Sequence, residues 1–415
     1  MSGGEASGEP APSVGYAPQP IVADAPTAPI AREAARSSSQ FWRAVSWCPD
    51  GASLLAQGED RTLSTHALPL DLFTSTGVCN LPTHTTSKAP AALLTSTWYP
   101  SASSAEGGAY AFLRSVRDSP IHMLDGFTGS VRASYPIVDH RERFIGPHSL
   151  CFSPDNGGQT LYAGHDAAIE IFDISRSGDA GERVQTTPKR SSRDGQKGII
   201  SSLAVSPSDA SFLAAGSFGR TVGLYDTASG RTGADLLQLI SVPGGGVTQV
   251  RFHPTERQVF VASRMHDTID VWDLRYAAAL LRSYERPAQT NQRLLFDIDA
   301  WGRYLVAGDD HGQVTVHDLS SQDEAPMVSF RAHHDAIGSA ALHPYLPLLA
   351  TSAGSRTFRS PASDDSASSS DSSSDVEAEL TQRSVTSVRA GAELAIWDLG
   401  RLRQAAAAAA APSTD

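Results

Sequence analysis

Thirteen arginine and lysine side chains fall in short clusters or at turn positions along this chain, with aromatic rings close by. They are Arg141 and Arg143; Lys189, Arg190, Arg193 and Lys197; Arg282, Arg286 and Arg293; and the isolated Arg117, Arg220, Arg264 and Arg356. Phe144, Phe218 and Tyr284 lie near them. Guanidinium and ammonium groups bond phosphate oxygens, and aromatic faces stack on unpaired bases. Gathered on one surface, such residues suit single-stranded nucleic acid. Dispersed, they are ordinary solvated loop charge.

Other candidate chemistry is thinner. Gly244-Gly245-Gly246 is not followed by Gly-Lys-Ser/Thr, so it is no phosphate-cradling loop and reads as a connection. His333-His334-Asp335 has metal-binding residue types, but adjacent side chains diverge, and a structural histidine before a strand is the simpler reading. Asp60, Asp118, Asp166, Asp267 and Asp310 sit in turns, where aspartate tolerates left-handed geometry and bonds its own backbone. No Ser/His/Asp set stands out. The residues therefore predict no enzyme, no metal and no cofactor. Three cysteines (Cys48, Cys79, Cys151) are too few and scattered for a disulfide framework, which favours a reducing compartment; Cys48 and Cys151 alternate with Trp47 and Phe152 as core residues.

The formal charge is −12, of which −2 falls in residues 1–40 and −6 in residues 361–380, leaving −4 elsewhere. The acidic total thus does not describe the part expected to fold. Residues 1–40 are expected to be a mostly disordered tail, part of which closes the last folded unit. Residues 360–385 form a disordered acidic Ser/Asp insert, and 401–415 an alanine-rich tail. Neither a secretory leader nor a membrane-spanning apolar run is expected.

The elements that must position the basic residues come from a repeat. A short apolar strand ending in a turn recurs seven times, with turn positions at Pro49, Pro100, Pro154, Pro207, Pro254, Ala300 and Pro344. The intervals are 51, 54, 53, 47, 46 and 44 residues. Downstream of most turns a second strand ends in aspartate: Asp125, Asp173, Asp226, Asp273, Asp318 and Asp398, preceded by tryptophan at Trp272 and Trp397. Between them lie runs such as TLYAGH and FLAAGS, with small residues where neighbouring units crowd the axis. This is the pattern of an all-β, seven-bladed WD-repeat propeller over residues 41–400. The aspartates and both tryptophans are expected to be structural. The insert leaves through the loop between the second and third strands of blade seven, and the segment before Phe41 is expected to supply that blade's outer strand. In such a ring the loops entering each blade and the second-to-third-strand turns open on one face, which would become basic.

The stretches SPIHMLDGFTGSVRASY (119–135), HSLCFSPD (148–155), QKGIISSLAVSP (196–207), TNQRLLFDID (290–299) and HPYLPLLATSAGSR (343–356) carry a more specific signal. Over roughly 41–400 the chain resembles the telomerase Cajal body protein family. The resemblance implies a nuclear, non-catalytic scaffold, resident in Cajal bodies or their equivalent and shuttling with the cytoplasm. It would bind small Cajal body and H/ACA RNAs, including telomerase RNA in animals, and support RNP assembly alongside RNP core proteins. A monomer without membrane contact is expected. Two alternatives stay open: a splicing-associated factor of fungal type, and a protein-only scaffold like a Gβ subunit. The acidic tract, with candidate phosphorylation sites at Ser366, Ser368 and Ser373, is expected to compete with RNA for the basic face.

Overall fold

The computed structural model describes residues 21–22, 24–34, 40–189, 192, 194–228, 234–275, 279–357, 387–388 and 392–401. They form seven blades around one channel, six of four antiparallel strands and the seventh extended by a fifth, parallel strand; the only helical element among them is a single 3-10 turn, Asp155–Gly157. The innermost strands are Trp42–Trp47, Leu93–Trp98, Ser149–Phe152, Ile200–Val205, Val247–Phe252, Asp297–Ile298 and Ile337–Leu342. Each of the seven turn positions read from the sequence lies two residues beyond the end of one of these strands.

All six predicted aspartates are the last residue of a third strand, and each carboxylate accepts the backbone N–H two residues on. The distances are 2.9 Å at Asp125, Asp173 and Asp273, 2.8 Å at Asp226, 3.0 Å at Asp318 and 3.1 Å at Asp398. The repeat motif thus closes a hairpin through an Asx turn. At Asp125, hydrogen bonds from Thr128, Arg132 and Phe127 outweigh the opposing effect of burial and hold the carboxyl down at about 2.

Blade crowding explains the small residues of the second strands. Gly164, Gly216 and Gly308 occupy the fifth position of Thr160–His165, Phe212–Ser217 and Tyr304–Gly308. A Cβ there would come within 2.6 Å of Ile200, 2.4 Å of Val247 and 2.4 Å of Ile337, each the first inner-strand residue of the next blade. Seven apolar clusters fill the spaces so formed.

The ring closes in blade seven, where Ala31–Ala34 pairs antiparallel with Glu393–Asp398 as the outer strand, Ala31 opposite Ile396. Cys79–Asn80 then adds alongside in parallel. The segment between blade seven's second strand, Leu348–Ala353, and Glu393–Asp398 opens with a short ladder of Arg356–Thr357 against Ser387–Val388. The Ser/Asp tract Pro361–Glu379, with its proposed competition and phosphorylation sites, lies outside the described residues, as do residues 1–20 and 402–415.

A histidine fastens blade seven to blade one on the opposite face. His343 Nδ1 accepts the N–H groups of Tyr345 and Leu346 at 3.0 and 2.9 Å, and its Nε2 proton is donated to the Gly51 carbonyl at 3.0 Å. Gly51 adopts φ 74° and has no room for a side chain beneath the imidazole. His253 makes the same contact with the Gly302 carbonyl at 2.8 Å. The His343 clamp requires a neutral ring, and burial pushes its pKa down to about 4 despite the Gly51 carbonyl and Asp50. The unfolded chain therefore binds a proton near pH 6.5 that the folded chain refuses until about pH 4. This stability is complete above pH 6.5 and is lost as pH falls through that window. The loss should approach about 3 kcal/mol. His343→Gln should be less stable at pH 7 yet show a flatter decline between pH 6.5 and 4 in urea titrations; parallel pH profiles would contradict the assignment.

Candidate nucleic-acid interface

The blade-entry loops and the second-to-third-strand turns meet around one mouth of the channel. Arg356 of blade seven pairs with Glu59 in the blade-one turn. Glu59 also holds Arg43 at 3.3 Å, and Arg43 rises from the inner strand of blade one to reach the Leu93 carbonyl at 3.4 Å. Arg293, on the loop entering blade six, extends past blade five to donate to the Ser201 carbonyl of blade four. The Arg264 guanidinium of the blade-five turn lies 4.1 Å from the centre of the Phe218 ring, which belongs to the blade-four turn. The imidazole of His148, before the inner strand of blade three, sits 6.4 Å from the same ring.

Mutual repulsion and burial show in the ionisation of these groups. Burial, then the charges of Arg264 and Arg43, bring Arg293 down to about 10. Burial followed by Arg356 lowers Arg43. His148 is lowered by burial and then by Arg293, Arg117 and Arg264, with Asp166 opposing, so a neutral imidazole is favoured there. The groups form a continuous arc from Arg356 through Arg43, Arg293 and Arg264 to His148 and Arg117. Of these guanidiniums, Arg43 and Arg356 share the Glu59 carboxylate. The geometry offers hydrogen-bond forks for phosphate and a ring already arranged for cation–π and stacking contact.

No family model matches the chain. A protein of Mesocricetus auratus named telomerase Cajal body protein 1 is 36% identical over 336 residues, 78% of this chain and 60% of the relative. Its namesake in Mus musculus is 34% identical over 375 residues, covering 88% of this chain and 67% of the relative. The chain belongs to the telomerase Cajal body protein family. It spans about 60% to 67% of the length of these two relatives. A third relative of this family member, the Schizosaccharomyces pombe protein named guanine nucleotide-binding protein negative regulator 1, is 31% identical over 300 residues, covering 70% of this chain and 71% of its own length.

Of the residues singled out in the sequence, this telomerase Cajal body family member brings Arg117, Phe218, Arg264, Arg293 and Arg356 to the mouth. Arg220 adjoins Phe218 in the same turn, exposed and with φ 61°. Lys189 and Lys197 are exposed on the loop entering blade four; Arg190 and Arg193 on that loop lie outside the described residues. Arg141, Arg143 and Phe144 occupy the loop entering blade three. Arg143 forks onto Asp139 at 3.0 and 2.8 Å, and Phe144 stays exposed.

Three expectations need correction. Arg286 is buried, donating to the Leu294 carbonyl at 3.0 Å, in the field of Asp310, Asp267 and Asp309 from the second-to-third-strand turns of blades five and six. Tyr284 is buried in the cluster between those blades, 4.9 Å from the His317 ring, so it offers no face to a base. Arg282 lies on an outer strand, Ala279–Glu285, bonded to the Ser321 carbonyl at 2.7 Å and remote from any entry loop.

Sequence reasoning missed Arg43 and His148. Arg43 lies in the strand Trp42–Trp47, and strand alternation, which turns it away from the buried Trp42, was the available signal. His333 is structural: its Nε2 meets Thr351 Oγ1 at 2.7 Å and its Nδ1 meets Glu393 at 3.1 Å. Among the described residues no group of three His, Cys, Asp or Glu side chains could hold a metal ion. Burial pushes the Cys48 and Cys151 thiols up to about 12 and about 11, leaving them as inert packing groups.

Proposed function

We propose that this protein is a non-catalytic nuclear scaffold that binds small Cajal body or H/ACA-type RNA at the basic mouth and supports assembly and trafficking of the resulting RNP. The convergence of Arg43, Arg117, Arg264, Arg293 and Arg356 around Phe218 and His148 carries the reading, because a protein-only scaffold has no need of several closely spaced cations beside an aromatic ring. The names of the mammalian relatives support the same RNP setting. Telomerase itself belongs to this proposal as one candidate RNP, alongside RNP core proteins as partners.

Sequencing the RNA that copurifies with the tagged protein tests the class of ligand. The site is tested by combining Arg117→Gln, Arg264→Gln and Arg356→Gln. Each lost phosphate contact on single-stranded RNA should reduce the salt slope by about 0.7, so affinity near 0.1 M salt should fall about a hundredfold with the fold intact. Unchanged affinity and slope would reject the site. The name of the Schizosaccharomyces pombe relative favours a second reading, a scaffold for protein partners alone; copurification of protein without enriched RNA would select it.

A further inference from the structure

Below the basic mouth the channel widens into a cavity of about 630 Å³. Thr95, Thr97 and Ser149 line one wall and Arg293 borders it from the loop entering blade six. Towards the far end Arg251 is paired with Asp297, and Asp299 lies at the blade-six turn. The two ends therefore differ: Arg293 at the mouth has no paired carboxylate among the described residues, whereas at the floor Arg251 is offset by Asp297 and Asp299 adds a further carboxylate.

Ion pairing differs in the same sense. Arg43 and Arg356 share Glu59, and Arg251 has Asp297. Among the described residues neither Arg293 nor Arg264 has a carboxylate within 4.0 Å. Arg293 reaches a neutral carbonyl, and Arg264 faces the Phe218 ring with its Nε enclosed and unpartnered. Holding such cations together away from bulk water is costly unless an anion joins them.

We propose that the mouth end of this cavity is a binding site for a phosphoryl group, seated between Arg293, Arg264 and Arg43 with the channel hydroxyls beneath it. A phosphate oxyanion matches several guanidinium forks at once, and the Asp299 carboxylate disfavours its passage deeper. The group can belong to an RNA strand lying on the face, in which case the inference rests on the RNA reading, or to a free polyphosphate, in which case it stands alone.

The probe is sodium tripolyphosphate, titrated at constant ionic strength against thermal unfolding of the full chain. The wild type should show a saturable rise in melting temperature. Arg293→Gln should need about tenfold more probe for the same rise, whereas Arg257→Gln, at the opposite end of blade five, should respond like the wild type. If Arg293→Gln fails to fold, Arg264→Gln takes its place. No saturable response in the wild type, or an unchanged midpoint in the folded variant, overturns the site. A single-stranded RNA that displaces tripolyphosphate competitively identifies RNA as the source. Tripolyphosphate binding without RNA binding leaves the anion site and removes the RNA reading; RNA binding without any tripolyphosphate response does the reverse.

Discussion

Trp397→Ala should lower the free energy of unfolding by about 4 kcal/mol, within the range for truncating a buried tryptophan. Trp397 is 3% exposed and packs 5.1 Å from the Phe330 ring of the neighbouring blade. Its Nε1 proton goes to Thr351 Oγ1 at 2.9 Å, and Thr351 in turn meets His333. Truncation leaves a cavity between blades six and seven and strips a buried polar chain of one donor. It also weakens the strand on which Ala31–Ala34 closes the ring. Urea unfolding measures the loss, and RNA affinity below the transition should match the wild type. Trp272→Ala should cost less, about 2 kcal/mol: its ring is half-buried and its Nε1 has no partner among the described residues, so truncation removes apolar contact alone. A Trp397 variant that melts like the wild type but loses RNA would place this residue in the interface instead.

Arg286→Ala is expected to cost about 3 kcal/mol or more, in the range for breaking a buried charge arrangement from one side. The guanidinium is 2% exposed; burial lowers its pKa to about 10 against the opposing pull of Asp310, Asp267 and Asp309. Asp267 meanwhile accepts the Ala288 N–H at 2.9 Å, and Asp310 accepts that of Gln289 at 3.0 Å. Removing the cation leaves these carboxylates, in the turns of blades five and six, uncompensated beside the loop that carries Arg293. Arg286→Met, which restores bulk without charge, should remain destabilised, and Arg286→Lys should recover part of the loss. Denaturant midpoints with hydrogen exchange of residues 286–294 check both. A stable Arg286→Ala protein with reduced RNA affinity would return Arg286 to the interface.

The blade number and order were legible because their signals are local. A turn position two residues beyond each inner strand and an aspartate bonding the second N–H after it depend on a few neighbouring residues, whatever the distant chain does. The small residues at Gly164, Gly216 and Gly308 announced close approach for the same reason, since a missing Cβ is a property of one position. The exit of the acidic insert between two strands of blade seven followed from counting along the repeat.

The composition of the mouth was decided by tertiary structure. Arg286 and Arg293 stand on one loop, seven positions apart, with the same side chain, yet one is buried on the Leu294 carbonyl in the field of Asp310, Asp267 and Asp309 while the other reaches Ser201 of blade four. Local sequence cannot distinguish them, because burial depends on which carboxylates the adjoining blade presents. Arg43 joins the site from an inner strand, and Glu59 meets Arg356 only after the ring has closed across almost the entire chain. Hydrogen-bonded turns form between near neighbours and so are written in short motifs. The electrostatics of a channel mouth sum charges from separate blades, and those distances exist only once all seven blades are in place.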